Sequence, residues 1–317
     1  MDAFIPKFLK SVARPNPLPE GVNQWDEPLN GRVPVILIHG TWLNAYNTFD
    51  YLARHLIETG HAVFAVNYGK EPQSFVGKAA GVYANNFLRE AYKEVIAFVR
   101  EVLERTGAEQ VDLVGHSQGV AQCRMVAAEF AAELAAQDAH EEATDGLNPV
   151  RRIVGLGPAH HGTTLSGVST LAHSLDRGKK SYPLIHAILG GAATDQAKGS
   201  EFGEYLNKDG DTVPGVEYTM ITTKFDGIAT PWRDQIMVAG EGAVVYNIGV
   251  QDEGNIFDWS SHLSMLYSPR VVDLVKEALH PDAGGRAAYR TANPYKRGVV
   301  VPMMGAVHRP RFPRRRR

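Results

Sequence analysis

The stretch Val111–Gly119, VDLVGHSQG, carries more of the fold than any other nine residues of the chain. VDLVGH is a short, mostly apolar run that reads as a buried strand, and Gly115–Gly119 reads G-x-S-x-G. Between a buried strand and a helix beginning near Gln118, the pattern puts Ser117 on a sharp, strained turn. Gly115 and Gly119 leave room where a Cβ would collide with neighbouring chain. The following helix aims backbone N–H groups at any anion formed beside Ser117. A bare G-x-S-x-G is a weak signal; the strand–turn–helix context makes it a strong one.

Outward from this turn the pattern repeats. VPVILIHG (Val33–Gly40) and HAVFAVNYG (His61–Gly69) are nearly continuous apolar runs, as strands buried on both faces require. Ile153–Leu156, Val216–Thr222 and Ala243–Gly249 supply three more strands. Helical patterns fall between or after them at Phe49–Gly60, Asn85–Gly107, Val120–Gln137 and Pro269–His280. Strands alternating with helices predict a doubly wound, mainly parallel α/β sheet of about six strands. Residues 1–32, rich in proline, read as an extended arm, 33–280 as the domain, and 281–317 as a C-terminal extension with a basic tail. Asp138–Asn148 is polar and reads as a loop. About 60 residues separate the fourth and fifth strands, far beyond an ordinary connection. This insertion, 157–215, has three helical patches, Ser166–Leu175, Tyr182–Leu189 and Thr194–Leu206, and is expected to act as a lid.

Composition narrows the class. The chain has 317 residues, 44% hydrophobic and 21% charged, an ordinary globular mix. No apolar run approaches the ~20 residues of a membrane span. Six of the 33 Lys and Arg fall in the last nine residues (Arg309, Arg311 and Arg314 to Arg317); removing them leaves 27 against 35 Asp and Glu, a net −8. That argues against a nucleic-acid partner and leaves weak contact with an anionic membrane surface as an expectation for the tail. Cys123 is the only cysteine, so no intrachain disulfide forms. The N-terminus lacks the apolar core of a secretory signal, which predicts a cytoplasmic protein, or a secreted one if the sequence is a mature form.

A serine nucleophile needs a base, an orienting acid and an oxyanion hole. His262 lies between the last strand and the final helix, where a loop can lower an imidazole onto Ser117; His160 and His161, after the fourth strand, are its rivals. Asp226 follows the fifth strand, 36 residues before His262, and is expected to be the acid, ahead of Asp252, Glu253 and Asp258. His39–Thr41 follows the first strand, so the N–H groups of Thr41 and Gln118 are the candidate oxyanion donors, with the Thr41 hydroxyl as a third.

PVILIHGTW, VDLVGHSQG, GPAHHGTTLSG, TTKFDGIATP and SSHLSMLYSP together resemble the actinobacterial class 2 lipase/esterase family of small α/β-hydrolases, from about Val33 to His280. The resemblance implies hydrolysis of carboxylic esters, often acylglycerols, without a cofactor. It carries the nucleophile, acid and base to Ser117, Asp226 and His262, and the oxyanion donors to Thr41 and Gln118. The same residues would also serve a lactonase, an amidase or an acyltransferase, and the fold alone a non-catalytic binding protein. Trp42, Leu171, Leu175, Ile185, Ile188 and Leu189 are the expected acyl-binding residues. No metal site is expected: neighbours such as His160 and His161 point apart on a strand or helix. Cys123 reads as a small core residue.

Overall fold

The computed structural model describes residues 3–138, 146–164, 182–252, 258–280, 299–301 and 305–307. Six strands, β1 (Val35–Ile38), β2 (Val63–Val66), β3 (Val111–His116), β4 (Val150–Leu156), β5 (Glu217–Thr222) and β6 (Val244–Gly249), form one sheet in the order β2-β1-β3-β4-β5-β6. Every neighbouring pair is parallel. All six strands expected from the sequence are therefore present: β3 has its expected bounds, β4 begins earlier, at Val150, and the other four are trimmed at their ends. A separate antiparallel ladder joins β7 (Val299–Val301) to β8 (Gly305–Val307), which the sequence reading did not anticipate.

The described helices are α1 (Phe4–Ser11), α2 (Ala45–Glu58), α3 (Leu88–Thr106), α4 (Gln118–Asp138), α5 (Tyr182–Leu189), α6 (Gly191–Asp195), α7 (Glu201–Asn207) and α8 (Pro269–Leu279). Alternation along the strands explains the two layers. Val35 and Leu37 face a core built with α2 (Phe49, Leu52, Leu56) and α8 (Val271, Leu274, Val275). Ile36 and Ile38 face the opposite core, with α3 (Val95, Val99, Val102) and α4 (Val120, Val126, Phe130). Both faces of β1 are buried, so its sequence cannot alternate with polar residues.

Two expectations change. The N-terminal arm is not extended throughout: it opens with α1. Pro6 occupies the third helical position, where a missing N–H costs nothing, and Phe4 is buried in the α2/α8 core. α1 is pinned at its end by Ser11, whose Oγ accepts hydrogen bonds from Asn44 and Asn47 at 3.1 Å each, and along its side by an ion pair between Lys7 and Asp50. The third patch of the insertion is two helices rather than one, because Gly199 turns at φ 76° and Ser200 caps the start of α7. The first patch, Ser166–Leu175, lies outside the described residues, as does the basic tail. Among the described residues no helix is long and apolar enough to cross a membrane.

Candidate active site

β3 ends and α4 begins with Ser117 alone between them, at φ 55°. A side chain in that left-handed region is strained, and the surroundings hold it there. The Ser117 N–H donates to the Leu156 carbonyl at 2.9 Å, and its carbonyl accepts from Val120 N–H at 3.1 Å. Gly119 must be glycine: a Cβ there would stand 2.1 Å from the Ile38 carbonyl oxygen, so β1 and α4 could not approach.

The loop after β1 turns sharply beside this serine. Trp42 adopts φ 60°, a rare conformation for so large a residue. The Thr41 hydroxyl donates to Gln118 Oε1 at 2.7 Å and accepts from Gln196 Nε2 at 2.7 Å. Its proton is thus committed to Gln118, which removes the hydroxyl from the set of oxyanion donors expected from the sequence. The Thr41 N–H makes no backbone hydrogen bond among the described residues, and Gln118, first in α4, has its N–H outside the helical ladder. Gln196 escaped the sequence reading because it lies in the insertion, far from every motif.

The opposite side is an acid–imidazole pair. His262 Nδ1 lies 2.7 Å from Asp226 Oδ2, and both residues are buried. Asp226 Oδ1 accepts from the N–H groups of Ile228 and Ala229, each at 2.8 Å, and Gln235 Nε2 donates to Oδ2 at 2.9 Å. Burial alone would raise the Asp226 pKa. The charge and hydrogen bond of His262, with the two N–H groups, overcome it and hold the carboxyl below its ordinary value. His116 Nε2 donates to the His262 carbonyl at 3.0 Å, anchoring the loop that carries the imidazole. Burial first, then the neighbouring His262, keeps the His116 pKa well below the usual histidine range, so it acts as a neutral donor. Gly157 packs against the imidazole, where a Cβ would come 3.0 Å from Nδ1. No sequence signal marked Gln235 or His116 as part of this network.

Ser117 and His262 open together on one cavity of about 370 Å³. Trp42, Ala159, Thr163 and Leu263 line it, as do Ile228 and Ala229 from the Asp226 loop. A whole wall comes from α1, through Phe4, Ile5, Phe8 and Leu9. The expected acyl residues divide. Trp42 lines the cavity. Ile185, Ile188 and Leu189 do not: Ile188 is 43% exposed, and the Leu189 carbonyl accepts from the Trp42 indole at 2.7 Å. The insertion contributes Ala193, Gln196 and Ala197 instead, and Leu171 and Leu175 lie outside the described residues.

The other candidates are placed elsewhere. Asp258 accepts from Ser260 and from Ser268, and Asp252 pairs with Lys224 at 2.6 Å; Glu253 lies outside the described residues. Cys123 is buried in the α4 core, where desolvation pushes its thiol pKa up. His160 and His161 turn away from Ser117 toward Asp211, their rings 4.2 Å apart. They occupy a turn, not a strand or helix, so the rule that neighbours point apart does not apply.

A parallel sheet carrying its serine in a strained strand-to-helix turn defines the α/β-hydrolase fold. The chain belongs to the family of class 2 lipases, whose sequence model, lipase (class 2), matches residues 32–265. A comparison with curated proteins finds no match. Among solved structures, lipase B of Aspergillus fumigatus is 20% identical with a TM-score of 0.62; the match covers 88% of this chain and 60% of that one. The chain thus spans 60% of that lipase. The mature form of Bacillus licheniformis lipase BlEst2 matches at 16% identity and a TM-score of 0.47, covering 76% of this chain and 89% of that one. At 20% identity the likeness to the Aspergillus lipase speaks for the fold alone.

Proposed function

We propose that this protein is a serine carboxylic ester hydrolase, an esterase or lipase of class EC 3.1.1, working through an acyl-enzyme. The observation that carries the reading is the 2.7 Å bond between His262 Nδ1 and Asp226 Oδ2, with His262 and Ser117 on the same apolar cavity. Asp226 holds Nδ1–H, which leaves the Nε2 lone pair to take the Ser117 proton. Ser117 Oγ attacks the ester carbonyl. The Thr41 and Gln118 N–H groups receive the oxyanion, and His262 returns the proton to the leaving alcohol. Water, activated by the same imidazole, then releases the acid.

The walls argue for an acyl chain as the bound group. Phe4, Phe8, Leu9 and Trp42 offer hydrocarbon and no charge. The insertion lines the cavity through Ala193 and Ala197, which supports reading it as a lid. Lactonase, amidase and acyltransferase chemistry use the same groups and differ in leaving group and acceptor. Two measurements decide. A fluorophosphonate probe should label wild type and not Ser117→Ala; no labelling of wild type would leave a binding protein on a hydrolase fold. A hydrolysis panel of esters from two to sixteen carbons, with a lactone, an amide and an alcohol acceptor, should show esters turned over fastest.

A further inference from the structure

The turn that lines the cavity with Ala159 and Thr163 sends its two intervening histidines to a second cluster. His160 is 1% exposed, and among the described residues neither ring nitrogen has a hydrogen-bond partner at full geometry, the Ile236 backbone lying in range of the ring. Such a group is costly to bury and asks for an explanation.

His161 completes the picture. Its Nδ1 lies 2.8 Å from the Asp234 carbonyl and its Nε2 2.7 Å from Asp211 Oδ1. A neutral imidazole has one N–H, which the carbonyl takes; Nε2 then faces a carboxylate oxygen lone pair to lone pair. Something positive must join them. An imidazole that donates one N–H to a carbonyl and offers its other nitrogen beside a carboxylate is the arrangement that metal-ligating histidines adopt. Asp211 is oriented in turn by the Val238 N–H, which donates to Oδ2 at 2.8 Å. Arg124, 3.7 Å from Asp211, directs its guanidinium instead to Asn207 Oδ1 and the Gly210 carbonyl at 2.8 Å each.

We propose that His160, His161 and Asp211 bind a divalent transition-metal ion of the zinc class. Their donor atoms lie within 4.8 Å of one another, a spread that small side-chain rotations close. Two imidazoles and one carboxylate suit zinc rather than calcium or magnesium, which prefer all-oxygen sets. Water fills the fourth position. Asp211 also lines, with Arg124, a groove of about 390 Å³. The ion ties the turn after β4 to the segment entering β5 and, through Asp234, to the short helix ending at Gln235, which holds Asp226. Its role is structural, and its binding is independent of ester hydrolysis.

The test uses the full chain, stripped with a chelator and titrated with zinc against a chromogenic competitor. Wild type and Ser117→Ala should each bind one equivalent, and cobalt should give a visible band of tetrahedral type. Zinc at a hundredfold excess over Kd should raise Tm by roughly 4–5 °C. His160→Gln and Asp211→Asn should each lose at least about a hundredfold in affinity, a step beyond the 10–100-fold cost of losing a supporting contact. His280→Gln, whose ring stacks on His61 away from this cluster, should bind as wild type. No zinc or cobalt bound by wild type would overturn the proposal. So would affinity unchanged in Asp211→Asn, or lost in His280→Gln. The wild-type titration decides even where a variant fails to fold.

Discussion

The floor of the cavity and its wall are held in different ways. On the floor, Asp226 takes four hydrogen bonds, His262 is anchored through its own carbonyl, and Ser117 is clamped by backbone bonds on both sides. The wall is α1, eight residues pinned by Ser11 and Lys7, with Ile5 38% and Leu9 66% exposed. Polar contacts are directional and reach about 3 Å, so the floor tolerates no displacement. Apolar contacts are additive and non-directional, so the wall can change without disturbing the chemistry. The contrast teaches that reaction and chain-length preference should separate by mutation.

Ser117→Ala is the largest break expected on the floor. Loss of such a nucleophile typically costs on the order of 10⁴–10⁶ in turnover, and circular dichroism should show an unchanged fold. A variant keeping a tenth of the wild-type kcat would remove Ser117 from the mechanism.

Asp226→Asn should follow, with kcat down roughly 10³–10⁴-fold, because the wrong imidazole tautomer faces Ser117. Asp258→Asn should stay within about fivefold of wild type while losing 1–3 kcal/mol of stability, since it breaks a buried network with Ser260 and Ser268. Reversed severity would move the acid to the other loop. Stability carries the same signature. The folded pKa of Asp226 is lowered from 3.8, so its contribution is full above that value and is lost as pH falls through the lower folded value. Urea midpoints of wild type and Asp226→Asn should differ most near neutrality and converge in acid.

A smaller effect belongs to Gln235→Leu, which removes one donor from Asp226 Oδ2 and, at 2.8 Å, from the Ala229 carbonyl of the same loop. We expect about a tenfold loss in kcat, about one ordinary hydrogen bond to a charged group. The acid limb of the urea-midpoint profile should also move to higher pH, because the carboxylate loses a bond that favours its charged form. An unmoved limb would mean Gln235 only packs.

The wall should yield the mildest change. Each methylene buried by the cavity is worth about 0.8 kcal/mol, or roughly fourfold in kcat/KM. Ile5→Ser with Leu9→Ser should flatten that dependence, the loss growing with acyl length. Ile185→Ser with Leu189→Ser should leave the slope as it is, since neither side chain lines the cavity. If the second pair flattens the slope and the first does not, the insertion rather than α1 sets chain length.

The particular residues show why some of this was legible beforehand. Val35–Ile38 and Val111–His116 announce themselves because a strand buried on both faces must be apolar throughout. The Ser117 turn announces itself because close packing of β1 on α4 admits only glycine at 119. α1 did not, because Pro15, Pro17 and Pro19 dominate the arm and hide the eight helical residues before them.

By itself, the sequence determined the parallel sheet, the strained serine and the order in which serine, aspartate and histidine follow one another, since each depends on neighbours within a few residues or on a strand's obligatory apolarity. Only the tertiary structure decided that the N-terminal helix walls the cavity, that Gln235 and His116 steady the acid and the imidazole, and that Gln196 engages the Thr41 hydroxyl. It also decided that two adjacent histidines on a turn share a space with Asp211. The hydrogen bonds among them join residues 9 to 155 positions apart. Their spacing follows no local period, so nothing short of the folded chain brings them together.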